Sequence, residues 1–84
     1  MTAKASREDI YQWVADILIQ EFQIARSDLS LSAHLIDDLD LDSIDAIDLS
    51  VRLEEKTGLA FKEQDLKSIR TIEDVVDFID AHLG

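Results

Sequence analysis

The side chain best placed to do chemistry in this sequence is the hydroxyl of Ser43, which follows Asp42 and precedes an apolar run that begins at Ile44. An Asp-Ser pair at such a point is ordinary capping, with Asp42 as the N-cap of a helix and Ser43 as its first residue. A serine there is also accessible and rigidly held. An anionic group attached to it meets unpaired backbone N–H groups and the positive end of the helix dipole. The local sequence leaves both interpretations open, a cap or an attachment point.

Residue types that catalyse reactions are otherwise scarce. The chain has no cysteine, and its two histidines, His34 and His82, lie in no recognisable catalytic motif. A serine nucleophile needs a neighbouring base and a group that orients the base. We therefore expect no catalysis. His82, predicted in the last turn of a helix, is more simply a favourable partner for the helix dipole.

Three alternating aspartates, Asp38, Asp40 and Asp42, have the spacing of a calcium-binding loop. An EF-hand loop also needs glycine at its sixth position and glutamate at its twelfth. Counted from Asp38, those positions hold Ser43 and Leu49. The sequence therefore predicts no specific metal site.

The charge of the chain is strongly negative and unevenly placed. Nineteen acidic and 8 basic residues give a net charge of −11, and between residues 37 and 55 Arg52 is the single base. Such a field repels nucleic acids and attracts basic protein surfaces. No apolar run is long enough to span a membrane, and no secretory signal is recognisable at the start of the sequence. We therefore expect a cytoplasmic protein with basic protein partners.

The elements that must position Ser43 are helices, since the 84 residues include no proline and only two glycines. Ser6 and Asp9 have the spacing of a capping box at the start of the first helix. The next helix is predicted from Asp42–Ser43 to Thr57–Gly58, a short turn of helix over Lys62–Lys67, and a last helix behind the cap Thr71. Residues 23–41 have no clean period, but their leucines indicate that this long connection packs.

The helix after Ser43 has two apolar stripes on roughly opposite sides, where a surface helix needs one. Either the helix is buried on both sides, or one stripe is an exposed docking surface with an acidic rim. We favour docking. The core-facing stripe is then Ala46, Leu49 and Leu53, and the exposed stripe is Ile44, Ile47 and Val51.

Ser43 belongs to a longer run, Asp42-Ser43-Ile44-Asp45, which continues through Ala46-Ile47-Asp48-Leu49 and Leu53-Glu54-Glu55. This run closely resembles the phosphopantetheine-attachment segment of acyl carrier proteins. The similarity continues through Gly58-Leu59-Ala60-Phe61, Ile69-Arg70-Thr71-Ile72 and Val75-Val76-Asp77-Phe78-Ile79, and with the first helix it covers nearly the whole chain.

The resemblance implies an all-α fold, a four-helix bundle with a short third helix and a long first loop. It implies a single carrier domain over residues 1–84, with 1–5 as a disordered tail, in a monomeric protein of the discrete bacterial type. Ser43 then receives 4′-phosphopantetheine from coenzyme A through a separate transferase. The thiol of that arm carries acyl groups as thioesters to enzymes of fatty-acid or polyketide/aryl-polyene-type biosynthesis.

By the same resemblance, two sets of residues surround the attachment point. The partner-binding residues, which meet the basic surfaces of ketosynthase, acyltransferase or ligase, reductase and dehydratase enzymes, are Asp42, Ile44, Asp45, Ile47, Asp48, Val51, Glu54 and Glu55. The residues that line a cavity for the acyl chain are Ala46, Leu53, Phe61 and Ile69.

The chain departs from the family pattern at four positions. Asp40 replaces a frequent glycine, but aspartate tolerates the left-handed backbone conformation better than most residues. Lys62 replaces a frequent proline, Arg52 interrupts an acidic or neutral helix, and Phe61 is bulky for a cavity position. Two alternatives stay open, a peptidyl or aminoacyl carrier, and an acidic helical interaction domain with no prosthetic group.

Overall fold

The computed structural model describes residues 6–83, and this part of the chain is helical. Four α-helices and one short 3₁₀-helix follow one another: α1 (Arg7–Phe22), the 3₁₀-helix (Arg26–Asp28), α2 (Ser43–Thr57), α3 (Glu63–Ser68) and α4 (Ile72–Leu83). The described residues form no strand, only an isolated bridge between His34 and Thr71. The prediction of an all-α fold with a short third helix is confirmed. The predicted disordered tail, residues 1–5, lies outside the described residues.

Helix α1 begins where the capping box predicts. Ser6 Oγ accepts a hydrogen bond from the Asp9 N–H at 3.1 Å, and the Asp9 carboxylate accepts one from the Ser6 N–H at 3.2 Å. The helix ends at Phe22, and the C-cap residue Gln23 has a left-handed φ of 57°. Its packing partner is chiefly α4, and the buried residues of the two helices form most of the core: Ile10, Val14, Leu18, Ile72, Val75, Val76 and Ile79.

The long connection between α1 and α2 packs into this core, as predicted. Leu35, Leu39 and Leu41 are buried and Leu29 is half-buried, whereas Leu31 is exposed. Backbone hydrogen bonds attach the connection to the start of α4. The Leu35 N–H donates to Arg70 O at 2.9 Å, and the N–H groups of Ile72 and Glu73 donate to the carbonyls of residues 33 and 31 at 3.1 and 2.9 Å.

The last two helices begin close to their predicted positions. Helix α3 spans Glu63–Ser68, one residue later than expected, because the Asp65 carboxylate accepts the Lys62 N–H at 2.9 Å and leaves Lys62 as the cap residue. Thr71 caps α4, with its Oγ1 accepting from the Asp74 N–H at 3.2 Å. No helix among residues 6–83 is long and apolar enough to cross a membrane.

Candidate attachment and docking site

Ser43 is the first residue of α2, and the residues around it form a complete capping box. Asp42 Oδ1 accepts a hydrogen bond from the Asp45 N–H at 2.9 Å, and Asp45 Oδ2 accepts one from the Asp42 N–H at 3.2 Å. Asp42 is therefore the N-cap, as predicted. Both flanking carboxylates are used to start the helix, which fixes the direction in which the backbone presents Ser43.

The Ser43 side chain is exposed, and its hydroxyl has no hydrogen-bond partner among residues 6–83. Most other serines in the described range use their hydroxyls locally. These are Ser6, Ser30, Ser32, Ser50 and Ser68. Ser27, in the 3₁₀-helix, is the remaining exposed serine without such a bond. Ser43 therefore combines an unengaged hydroxyl with a rigid helix start.

The turn that leads into Ser43 depends on Asp40, whose φ of 59° lies in the left-handed region. The expectation that aspartate would take this conformation in place of glycine is confirmed. Next to it, Leu41 is buried, and its N–H donates to Leu35 O at 3.0 Å. The turn therefore rests on the core immediately before the attachment point.

An open groove of about 670 Å³ lies beside Ser43, between the start of α2, helix α3 and the long connection. Its apolar lining includes Leu35, Ala46 and Leu66. Two cations, Lys67 and Arg70, also line it. Two acids, Asp37 and Glu63, line it as well, and Lys67 Nζ lies 3.8 Å from Glu63 Oε1, so the charges of the groove are mixed.

A much smaller cavity of about 20 Å³ lies deeper, between α2, α3 and α4. A volume of this size holds about one water molecule. The structure brings together all four predicted cavity residues in its lining: Ala46, Leu53, Phe61 and Ile69. Ala46 and Ile69 also line the open groove, so the two spaces are neighbours.

The two stripes of α2 face as the docking interpretation requires. Ile44, Ile47 and Val51 are 74%, 53% and 47% exposed, whereas Leu49 and Leu53 are buried. The prediction of an exposed apolar stripe is confirmed. Large apolar side chains in such a row on a small protein are typical of an interaction surface.

The predicted acidic rim is less uniform than the sequence indicates. Glu54, one of the predicted partner-binding residues, is half-buried, and its Oε2 accepts the Phe61 N–H at 2.8 Å. This bond joins residues seven positions apart, across the end of α2, so the sequence gives no local sign of it. Asp48 Oδ1 lies 3.5 Å from Arg52 Nε, while Glu55 is exposed. The remaining predicted partner-binding residues lie on α2 or its cap: Asp42, Ile44, Asp45, Ile47 and Val51.

Comparison with known proteins identifies the family. A family model described as the phosphopantetheine attachment site matches residues 12–79. The chain belongs to the acyl carrier protein family. An acyl carrier protein of Thermotoga maritima is 38% identical over 80 residues, which cover 95% of this chain and 99% of that protein. Acyl carrier protein 2 of Ralstonia nicotianae is 39% identical over 76 residues (90% and 94%), and an acyl carrier protein of Coprothermobacter proteolyticus is 35% identical over 77 residues (92% and 94%).

Family membership establishes the prosthetic group, because the matching domain is a phosphopantetheine attachment site. This carrier therefore binds 4′-phosphopantetheine, which excludes the alternative of an interaction domain without a prosthetic group. The residues around α2 fit such a group. Its phosphate needs an accessible hydroxyl, and its extended arm needs an open path along the surface. Ser43 provides the hydroxyl, and the groove beside it provides the path.

Acyl carrier proteins do not catalyse reactions, and the histidines of this carrier agree with that role. The His34 ring is exposed, with Nδ1 4.0 Å from Asp37 Oδ2, and no hydrogen bond joins it to Ser43 in the described structure. His82 Nδ1 lies 2.7 Å from Phe78 O, inside the last turn of α4. Residues 6–83 also contain no group of three or more side chains that could hold a metal ion.

Proposed function

We propose that Ser43 Oγ bears the phosphopantetheine arm and that this carrier delivers acyl thioesters to biosynthetic enzymes. The observation that supports Ser43 is its place at the first position of α2, exposed, with an unengaged hydroxyl at the edge of the groove. At the start of α2 the Asp45 N–H is bound by Asp42, but the first N–H groups of a helix otherwise lack partners within the helix, so an anionic phosphodiester there gains roughly 0.3–1 kcal/mol. This contribution orients the arm and does not drive its attachment.

The attachment reaction uses the serine as a nucleophile. Ser43 Oγ forms a P–O bond with the β-phosphorus of coenzyme A, the pyrophosphate bond breaks, and adenosine 3′,5′-bisphosphate leaves. A base of the transferase accepts the hydroxyl proton, because no base of this chain within residues 6–83 is hydrogen-bonded to that hydroxyl. When bound, the arm supplies a thiol that holds acyl groups as thioesters, which a chain without cysteine cannot supply itself.

The cargo that we propose is an acyl chain from fatty-acid or polyketide/aryl-polyene-type biosynthesis. Its apolar part lies first in the open groove, and it reaches Ala46, Leu53, Phe61 and Ile69 as the smaller cavity widens beyond about 20 Å³. Burial of each methylene there stabilises the loaded carrier by about 0.8 kcal/mol. The names of the relatives favour acyl groups over amino acids or peptides.

The exposed stripe of α2 is the surface that we propose for partner enzymes. Ile44, Ile47 and Val51 form its apolar centre, and the adjacent acids include Asp45, Asp48 and Glu55. Such a surface fits an apolar recess with a basic rim. The partners that we propose are a phosphopantetheinyl transferase and the acyl-processing enzymes. The carrier binds them as a monomer in the cytoplasm.

Incubation with coenzyme A and a broad-specificity phosphopantetheinyl transferase tests the proposal. Intact-protein mass spectrometry should detect the gain of one phosphopantetheine group, and Ser43→Ala should abolish it. Ser27→Ala is the matched control, because Ser27 is also an exposed serine without a hydrogen-bonded hydroxyl in the described structure. Modification that persists in Ser43→Ala would refute the assignment. The acyl mass on protein purified from its own host then identifies the cargo.

A further inference from the structure

Arg52, the one base among the acids that flank Ser43 and the exposed stripe, bridges two helices. Its Nη1 lies 2.9 Å from Glu21 Oε1 on α1, and its Nε lies 3.5 Å from Asp48 Oδ1 on α2. The Nε atom is buried and has no hydrogen-bond partner in the described structure. The stronger contact is therefore with Glu21, because only the distance to Glu21 is short enough for a charge-assisted hydrogen bond.

Asp48 and Glu21 share the guanidinium group of Arg52, with Glu21 close to Nη1 and Asp48 more distant at Nε. Asp48 lies on α2 about 40° around the helix from Ile44, at the edge of the exposed stripe, and Arg52 lies about 80° from Ile44 on the same side. If Glu21 did not hold Arg52, the guanidinium would pair fully with Asp48. It would then mask an acidic group at the proposed docking surface.

Lys56, the other cation of α2, is also held by α1. Its Nζ lies 5.8 Å from the centroid of the Trp13 ring, within the range of a cation–π interaction. Both cations of α2 thus contact α1, and Arg52 also keeps its 3.5 Å pair with Asp48 on α2. The edge of the exposed stripe thus has Glu55 and an Asp48 whose pair with Arg52 is longer than the pair that Arg52 forms with Glu21.

We infer that Glu21 is a positioning residue for partner recognition, which holds Arg52 so that its contact with Asp48 stays at 3.5 Å without a hydrogen bond and the docking surface stays acidic for a basic partner. The inference rests on the proposed docking surface. Glu21 itself lies on α1, outside that surface, and acts on it only through Arg52.

The kinetics of modification by a broad-specificity phosphopantetheinyl transferase test this role at low ionic strength. Glu21→Gln should raise KM about two- to fivefold, the range of one exposed ion pair, and should leave kcat unchanged. Asp16→Asn is the matched control, because it removes one negative charge from α1 and breaks the 3.5 Å pair with Arg26 instead. Its KM should stay near that of the wild type.

The double variant Glu21→Gln/Arg52→Gln separates positioning from a general charge effect. Removal of the released cation should return KM to the wild-type value, and Arg52→Gln alone should change KM little. An equal rise in KM for Glu21→Gln and Asp16→Asn, or no recovery in the double variant, would overturn the inference. Failure here leaves mass gain at Ser43 unaffected, so it is distinguishable from failure of the proposed function.

Discussion

The ring of Phe61 lies against the ring of Phe78, with their centroids 4.5 Å apart. Phe78 in turn stacks on His82 at 4.1 Å, and the Phe61 N–H is bound to Glu54. Phe61 is therefore held by its ring and by its backbone. Since Phe61 lines the deep cavity, this arrangement helps to keep that cavity close to 20 Å³.

Truncation of Phe61 should enlarge the space for an acyl chain. In Phe61→Ala, an octanoyl thioester should be cleaved by hydroxylamine several-fold more slowly than in the wild type, whereas a butanoyl thioester should be unaffected. The longer chain gains buried methylenes, and the shorter one does not reach them. Stability should fall by about 2 kcal/mol, less than for a fully buried phenylalanine.

Phe22→Ala provides the control for this prediction. Phe22 is a half-buried aromatic residue that packs against the core and does not line the cavity. Its loss should not protect the octanoyl thioester. Equal protection in the two variants would mean that general loosening, and not the wall formed by Phe61, sets the space.

A charge in the exposed stripe should impair docking without unfolding the protein. Ile47→Asp should raise KM for phosphopantetheinyl transfer while the free energy of unfolding changes by less than about 0.5 kcal/mol, because Ile47 is 53% exposed. Leu31→Asp is the matched control, because it places the same charge at an apolar residue of similar exposure, 42%, on the long connection and outside the exposed stripe. A normal KM for Ile47→Asp would argue against this surface.

The backbone at Asp40 should limit which residues are tolerated there. Asp40→Ala should destabilise the protein by about 1 kcal/mol, because alanine is disfavoured at a φ of 59°. Asp40→Gly should be at least as stable as the wild type, since glycine adopts this conformation without strain. Thermal unfolding measures both. Asp37→Ala, which removes the same charge from an exposed position in the same connection, should have little effect.

The acid stability of the protein should depend in part on Asp74. Burial by itself raises the pKa of this carboxyl, but hydrogen bonds from the N–H groups of Arg70 and Thr71 and from the Thr71 side chain, together with the Arg70 charge, lower it overall. A lowered pKa means that the unfolded chain binds the proton more readily than the folded protein.

The contribution of Asp74 is therefore fully present above its unfolded pKa of about 3.9, and it is lost as the pH falls toward the folded value. Asp74→Asn should flatten the fall in unfolding free energy below about pH 4, as measured by urea denaturation at successive pH values. If the unfolding free energy of Asp74→Asn fell with pH as steeply as that of the wild type, carboxyl groups other than Asp74 would determine the acid stability.

The sequence predicts the helices well because their ends carry local signals. Ser6 and Asp9 form the expected capping box, Asp42 is the expected N-cap, and Gly58 follows Thr57 in the expected C-terminal position. The exposed stripe of α2 was also predictable, because the helical period alone places its three residues on one side of the helix.

Contacts between distant segments were beyond the sequence. The hydrogen bonds between residues 31–35 and 70–73 join backbone groups, which every residue type possesses, so no side chain marks them. The bond from the Phe61 N–H to Glu54 and the pair formed by Arg52 and Glu21 use side chains, but they join residues that no local spacing brings together. Charge patterning identified Arg52 as unusual, but not the helix that binds it.

Helix α3 differs from the other α-helices because none of its six residues is fully buried. A segment with few buried apolar contacts needs little free energy to move away from its neighbours. One wall of the groove, α3, is thus short and weakly packed, whereas the opposite wall, α2, is anchored in the core by Leu49 and Leu53. We therefore expect the volume of the groove to adapt to its occupant, because a bound hydrocarbon chain can displace α3.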